Sequence, residues 1–148
     1  MPLDPSYVGR VYPPTPPYEV GREKIREFAD AVGDPNPVYR DRAAALALGY
    51  PDVIAPPTFA VIVAQRAEAQ VLRDPEANID YPRLVHGDER FVHHRPIVAG
   101  DRLTATLHID SAREAGGHGM LITRVEIVDA DGDPVATVRS TAVIRGGE

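Results

Sequence analysis

One segment near the middle of the chain, residues 58–65, is apolar on nearly every side of the helix that it would form. It reads Thr-Phe-Ala-Val-Ile-Val-Ala-Gln, and Pro57 stands near the first helical position, where proline is favoured. A helix without a polar face is usually buried. The segment becomes polar only from Gln65 onward, so we expect its N-terminal turns to be the deepest part. Whatever fold this chain adopts has to cover that helix.

Four predicted strands follow the apolar helix and are able to cover it. They span residues 84–94, 102–112, 120–128 and 135–144. The second strand alternates apolar and polar residues from Leu103 to Ile109, which is the period of a half-buried strand. A glycine-rich turn at residues 116–119 and the Asp131-Gly132 pair predict hairpins between the last three strands. Helices before a run of hairpin-linked strands indicate an α+β architecture.

The remaining segments surround this core. Residues 8–17 hold four of the 15 prolines and predict an extended arm that crosses the surface or a partner subunit. Further predicted elements are a short strand at 18–20, an amphipathic helix at 22–32 that Gly33 ends, a short helix at 41–48 and a polar surface loop at 73–82.

Composition narrows the possible functions. At 148 residues with 43% hydrophobic content, we expect one domain over residues 1–148. A net charge of −6 argues against general electrostatic binding to nucleic acid or to an anionic membrane surface. The absence of cysteine excludes disulfides, thiolate nucleophiles and cysteine-based zinc sites. No stretch approaches the roughly 20 apolar residues that span a bilayer, and no leader pattern begins the chain, so we expect a cytoplasmic protein.

A proline-braced turn, Gly33-Asp34-Pro35-Asn36-Pro37-Val38-Tyr39, separates the two predicted short helices. Its prolines keep Asp34 and Asn36 in extended or turn geometry. With the helix before it, this stretch resembles the hydratase motif of MaoC-like proteins, Gly-Asp-x-Asn-Pro-aliphatic-His. Tyr39 takes the place of the histidine.

Two further stretches resemble the same family. Residues 90–101 are similar to its second block, a strand that enters a Pro-aliphatic-x-x-Gly-Asp turn. Residues 55–59 and 84–87 resemble the N-terminal dehydratase modules of the fatty-acid-synthase type. Within that group the likeness is to the non-catalytic A-type subunit of heterodimeric (3R)-hydroxyacyl-carrier-protein dehydratases.

The resemblance implies a hot-dog fold, an antiparallel sheet wrapped around a central buried helix. It also implies the reversible removal of water from an acyl thioester, carried on acyl carrier protein or coenzyme A, without a dissociable cofactor. Asp34 carries over as the acid or water-orienting residue. Tyr39 does not carry over as the base, because a phenol of pKa about 10 is mostly protonated at neutral pH. Asn36 and the backbone N–H groups of Thr58 and Phe59 are the predicted substrate contacts.

The leading hypothesis is a substrate-binding subunit that pairs with a homologous hot-dog subunit bearing the histidine. Homodimer and heterodimer both stay open. One alternative is a self-sufficient hydratase in which His86 replaces the missing base, and another is an acyl-thioester-binding module without turnover. Glu68 could serve as the acid of a thioesterase, although the hydratase motif argues against that activity.

Each predicted site residue also has a structural interpretation. Asp34 and Asn36 could simply brace the turn, Tyr39 could be a packed aromatic, and Asp101 is most simply part of a turn between strands. No metal site is expected from the histidines. Adjacent residues 93 and 94 point to opposite faces of a strand, and residues 86 and 94 on one face would be about 26 Å apart.

Overall fold

The structure, a computed structural model, describes residues 3–146. Three helices and five strands form an α+β arrangement. The helices are α1 (Arg22–Ala31), α2 (Arg42–Ala47) and α3 (Ala60–Leu72), and the strands are β1 (Tyr18–Glu19), β2 (Leu84–His93), β3 (Arg102–Ala115), β4 (His118–Val128) and β5 (Pro134–Ile144). No helix among the described residues is long and apolar enough to cross a bilayer.

The five strands form one antiparallel sheet in the order β1-β3-β4-β5-β2. The proline-rich arm lies along the free side of β3, beyond β1. Gly9 N–H donates to the carbonyl of Ile109 (2.8 Å), and Thr15 N–H donates to the carbonyl of Ala105 (2.9 Å). The arm therefore crosses the chain's own surface and covers one edge of the sheet. The other edge, β2, has no further strand beside it among residues 3–146.

Helix α3 packs against β3, β4 and β5, as the apolar segment predicts. Its N-terminal turns are the deepest part, as expected, because Phe59, Ala60, Val63 and Ala64 are fully buried whereas Gln65 and Arg66 are exposed. Burial nevertheless continues on one side along the rest of the helix. Val61 and Ile62 in the first turn are only half-buried, whereas Glu68 and Val71 near the end are buried. The sheet covers a stripe along the whole helix, so spacing by three and four residues decides burial here. The buried stripe includes one ionisable residue, Glu68.

A bulge at Gly87 changes which residues of β2 share a face. His86 lies opposite Ala142 and Asp88 lies opposite Thr141, so Gly87 is an extra residue on β2. The bulge reverses the alternation. Consequently His86 shares its face with His93, and the prediction that His86 and His94 share a face is wrong.

The hairpin between β3 and β4 is tighter than the sequence indicates. Strand β3 extends to Ala115 and strand β4 begins at His118, so Gly116 and Gly117 alone make the turn. Both glycines have positive φ, which few other residues tolerate. The predicted loop at 73–82 contains two short 3₁₀ turns, Pro75–Ala77 and part of Tyr81–Arg83, and it buries Ala77.

Candidate functional site

The motif turn is held by its own side chains. Helix α1 ends at Ala31, and Gly33 adopts a left-handed conformation (φ 74°) that turns the chain away from the helix. Asn36 N–H donates to Asp34 Oδ1 (3.0 Å), and Val38 N–H donates to Asn36 Oδ1 (3.0 Å). Asp34 and Asn36 thus brace the turn. Bracing uses Asp34 Oδ1 only, so the second carboxylate oxygen of Asp34 takes no part in these two hydrogen bonds.

Tyr39 ends the turn as a buried side chain, 9% exposed, within the 3₁₀ turn Pro37–Tyr39. Burial raises the pKa of its phenol, and the nearby charge of Asp34 raises that pKa further. Both effects favour the neutral form. At neutral pH the Tyr39 hydroxyl can donate or accept a hydrogen bond, but it is not a base.

The two predicted donors at the start of the central helix differ in their surroundings. The 3₁₀ turn Pro57–Phe59 leads directly into α3. The Phe59 ring is fully buried, and its N–H donates to the carbonyl of Pro56 (2.9 Å). Thr58 is exposed. The Phe59 amide is therefore engaged in the turn, and Thr58 is the more accessible of the two.

Three contacts bring the motif turn, the start of α3 and the end of β2 together. The rings of Phe28 and Phe59 pack edge to face with centroids 5.5 Å apart. Ile54 N–H donates to the carbonyl of Val38 (3.2 Å). His93 Nε2 lies 2.7 Å from the carbonyl oxygen of Pro57. Since a carbonyl only accepts, His93 carries its hydrogen on Nε2 in this contact.

Sequence reasoning missed this position of His93, because it weighed His93 only as a metal ligand. The available signal was the resemblance of residues 90–101 to the family's second block, in which His93 lies just before the turn that follows the strand. Its pairing with Pro57, 36 residues away, depends on the register of β2 against β5. No local pattern carries that information.

His86 lies elsewhere. It lines a cavity of about 420 Å³ between the second half of α3 and the inner face of β2, β4 and β5, here called the α3–sheet cavity. Its lining includes Glu68, Leu72, Leu121, Thr123 and Ser140. The open depression beside Asp34 shares none of its lining residues. Within one chain the structure does not bring His86 and Asp34 into the same cavity.

Glu68 is the buried acid of the α3–sheet cavity. It is 8% exposed and accepts a hydrogen bond from Ser140 Oγ (2.9 Å). Burial raises its pKa, the Ser140 bond opposes that effect, the charge of Glu89 adds to it, and the charge of His86 opposes it. The cavity therefore combines apolar walls with an acid that favours its neutral form.

The strand block ends in a turn held by an ion-pair network. Arg95 donates to both carboxylate oxygens of Asp101 (2.8 and 3.1 Å) and to Asp129 (3.2 Å). Val98 N–H also donates to Asp101 (2.9 Å). These contacts favour the structural interpretation of Asp101.

The hairpin after β4 holds three acidic groups spaced closely enough to contact one metal ion. Oxygens of Asp129, Asp131 and Asp133 lie within 4.8 Å of one another. One oxygen of Asp129 accepts hydrogen bonds from the N–H groups of Asp131 and Asp133 (3.0 Å each). That bonding accounts for the cluster as a turn.

Comparison with known proteins supports one family. The model of the FAS1-like dehydratase domain region matches residues 6–138. A UPF0336 protein of Saccharopolyspora erythraea is 56% identical over 146 residues, which cover 99% of this chain and 94% of that protein.

Solved structures agree with the family match. One chain of the C-terminally truncated HadBC (3R-hydroxyacyl-ACP dehydratase) complex from Mycobacterium tuberculosis superposes with a TM-score of 0.85 at 34% identity, covering 97% of this chain and 99% of that one. A MaoC-like dehydratase gives a TM-score of 0.88 at 36% identity, covering 96% of this chain and 43% of that one. The curled antiparallel sheet on α3 is the hot-dog fold, as expected. This chain belongs to the MaoC-like hot-dog dehydratase family.

Proposed function

We propose that this chain is the substrate-binding subunit of a (3R)-hydroxyacyl-thioester dehydratase and that a homologous hot-dog subunit supplies the catalytic histidine. The ligand is an acyl thioester of acyl carrier protein or coenzyme A. The observation that carries the proposal is the buried, neutral Tyr39 beside Asp34, at the place of the family's base. Fatty-acid elongation is the process in which such a subunit would act.

The chemistry explains why Tyr39 matters more than the rest of the motif. Elimination of water needs a base that takes the proton next to the thioester carbonyl. A raised phenol pKa leaves Tyr39 protonated at neutral pH. Loss of a positioned general base typically costs about 10²–10⁴-fold in rate. The second oxygen of Asp34 and the Tyr39 hydroxyl can still orient a water or hydroxyl group.

Strand β2 supports the pairing. Within residues 3–146 no strand pairs with its outer side, and it exposes two large apolar side chains, Val85 (41%) and Val92 (54%). An edge strand offers unpaired N–H and C=O groups to a second sheet. The contact between His93 and Pro57 places the start of α3 next to this edge. A subunit added at β2 would therefore lie beside the motif turn.

The relatives are consistent with such pairing. The structure of the Mycobacterium tuberculosis protein is that of a HadBC dehydratase complex. That complex supports assembly with a homologous subunit for this chain, and we extend it to a heterodimer with a His-bearing partner.

Hydration of trans-2-octenoyl-CoA tests the proposal. The assay uses the purified chain alone, a hot-dog homologue that carries Gly-Asp-x-Asn-Pro-x-His, and the two mixed after co-purification. We expect negligible rate from this chain alone and a rate at least tenfold above either protein in the mixture. A mixture with the partner's motif histidine changed to alanine is the matched control and should be inactive.

The alternatives predict different results. Robust hydration by this chain alone would overturn the proposal, and its loss in His86→Ala would then identify the self-sufficient enzyme. Thermal stabilisation by octenoyl-CoA without turnover, even beside the partner, would assign the chain to acyl-thioester binding alone. Both results contradict a dehydratase subunit.

A further inference from the structure

The α3–sheet cavity has a polar floor between apolar walls. Leu72, Leu84 and Leu121 are among the apolar residues that line it. Its volume of about 420 Å³ lies within the range of about 300–1,000 Å³ that small-molecule pockets occupy. A purely hydrocarbon ligand would need no polar group in such a place.

The polar floor is a row that crosses three strands. Glu89 on β2 lies opposite Ser140 on β5, and Ser140 lies opposite Thr123 on β4. Residues directly opposite each other in an antiparallel pair point to the same face. This row faces α3, since Ser140 Oγ contacts Glu68 on the helix. Four polar side chains thus meet inside the core.

Two acids approach the hydroxyl of Ser140. Ser140 Oγ lies 2.9 Å from Glu68 Oε1 and 2.5 Å from Glu89 Oε2. A hydroxyl has a single hydrogen, so it can donate to only one of the two carboxyl groups at a time. Glu68 is the more buried of the two, and burial raises its pKa. Burial therefore favours the neutral form of Glu68, whereas the hydrogen bond that it accepts from Ser140 opposes that effect.

Thr123 supplies the observation that points to a ligand. The residue is 4% exposed and lines the cavity, and its Oγ1 has no hydrogen-bond partner among residues 3–146. Leaving a buried hydroxyl unsatisfied costs about 1–3 kcal/mol. A valine would fill the same space without that cost. Because the residue lines the cavity, a rotation about its Cα–Cβ bond can present this hydroxyl to an oxygen that enters.

We propose that the α3–sheet cavity binds an alkyl chain bearing one uncharged oxygen, a hydroxyl or oxo group, which Thr123 recognises beside the Glu68–Ser140 pair. The hydrocarbon packs on Leu72, Leu84 and Leu121. A ligand carboxylate is disfavoured at the floor because Glu68 lines the cavity and Glu89 contacts Ser140 beside it. If the alkyl chain is the far end of an acyl thioester, that part of the inference rests on the function proposed above. The preference for a ligand oxygen does not depend on that function.

The test measures binding at the cavity in the full chain. Methyl resonances of the lining leucines are followed during titration with 1-octanol. The test variant is Thr123→Val, which keeps the shape of the side chain. The control variant is Thr141→Val, since Thr141 follows Ser140 on β5 but does not line the cavity. Wild type and Thr141→Val should bind with equal affinity. Thr123→Val should bind about three- to tenfold more weakly, the contribution of one hydrogen bond.

Stability of the unliganded protein checks the variant independently. Because the hydroxyl is unpartnered, Thr123→Val should unfold at the same temperature as wild type or higher. Octanol affinity that is unchanged in Thr123→Val, or no octanol binding by wild type, overturns the proposal. Tighter binding of octylamine than of octanol also overturns it, because the floor would then be a cation site.

A second experiment tests whether the bound alkyl chain belongs to an acyl thioester. Titration with 8-hydroxyoctanoyl-CoA and octanoyl-CoA compares thioesters that differ only in the terminal oxygen. A preference for the hydroxylated thioester that disappears in Thr123→Val supports an acyl chain as the occupant. Equal affinity for both thioesters, with Thr123-dependent octanol binding retained, overturns the acyl source and leaves a free oxygenated lipid. Activity of the assembled enzyme does not enter either readout, so failure here is separable from failure of the proposed function.

Discussion

The carboxyl group of Glu68 and the hydroxyl of Ser140 are joined by a 2.9 Å hydrogen bond inside the core. This bond ties the central helix to β5, in a cavity where hydrocarbon would be expected. Glu89 from β2 contacts the same hydroxyl, and the charge of His86 opposes the rise in the pKa of Glu68. Charge on Glu68 is thus costly, and the cost depends on pH.

Replacement of Glu68 by glutamine should make the free energy of unfolding less dependent on pH. The native pKa of Glu68 lies above the ordinary value of 4.5, so the native state holds a proton that the unfolded chain releases. Its stabilising effect is complete below pH 4.5 and is lost as pH rises through the native pKa. The free energy of unfolding of Glu68→Gln should be higher than that of wild type at pH 7, and the difference should be absent at pH 4.

Urea unfolding at both pH values measures that difference. Glu27→Gln, at an exposed site on α1, is the control and should follow wild type. A Glu68→Gln protein that is less stable than wild type at pH 7 would show that the charged form is needed in the core.

The contribution of Tyr12 to the stability of the N-terminal arm should be lost at alkaline pH. Its hydroxyl donates to Asp74 Oδ2 (2.8 Å), and burial together with Asp74 raises its pKa to about 12. Because the ordinary value is 10, the stabilising effect is complete below pH 10 and is lost as pH rises towards 12. Tyr12→Phe should therefore lose stability at pH 8 and differ less from wild type near pH 12. Denaturant unfolding across this range checks it, and a constant difference would contradict it.

Asp101 should matter for stability through its turn. It accepts two bonds from Arg95 and one from Val98 N–H, and its side chain is 17% exposed. Asp101→Asn should lower the free energy of unfolding by about 1–2 kcal/mol, because charge-assisted bonds are lost. Asp88→Asn is the matched control, since its pair with Arg90 is exposed and should contribute under about 1 kcal/mol. Equal effects of the two changes would mean that the network adds nothing.

Tyr39→His should give this chain a base of its own. If Asp34 and the start of α3 are in place, hydration of trans-2-octenoyl-CoA should rise at least tenfold above the wild-type chain alone, within the range of about 10²–10⁴ that a general base provides. The rate should increase with pH around 6.5 as the imidazole loses its proton. Tyr39→Phe removes only the hydroxyl and should show no gain. An inactive, folded Tyr39→His protein would indicate that the site lacks more than the histidine.

The sequence predicted the elements well because local patterns determine them. Alternation from Leu103 to Ile109 located β3, and Asp131-Gly132 located the last hairpin. The apolar run after Pro57 located the helix that the sheet covers. Each of these depends only on neighbours a few residues away.

What the sequence did not predict depends on register. The bulge at Gly87 decides which histidine shares a face with His86. An isolated glycine in a strand suggests a bulge, but the shift itself depends on the pairing with β5. The meeting of Glu68, Glu89 and Ser140 requires three elements in one alignment. Glu68 was considered only as a thioesterase acid, and its burial was not foreseen.

The covered edge of β3 has a consequence for assembly size. The arm and β1 occupy that edge, and the prolines of the arm lack N–H donors, so β2 is the edge among residues 3–146 better suited to accept another strand. When two such sheets join through their β2 edges, each uses the edge that the arm of the other leaves open among residues 3–146. Growth then ends at two subunits, and the arm acts as a stop against the open-ended stacking to which exposed strands are prone.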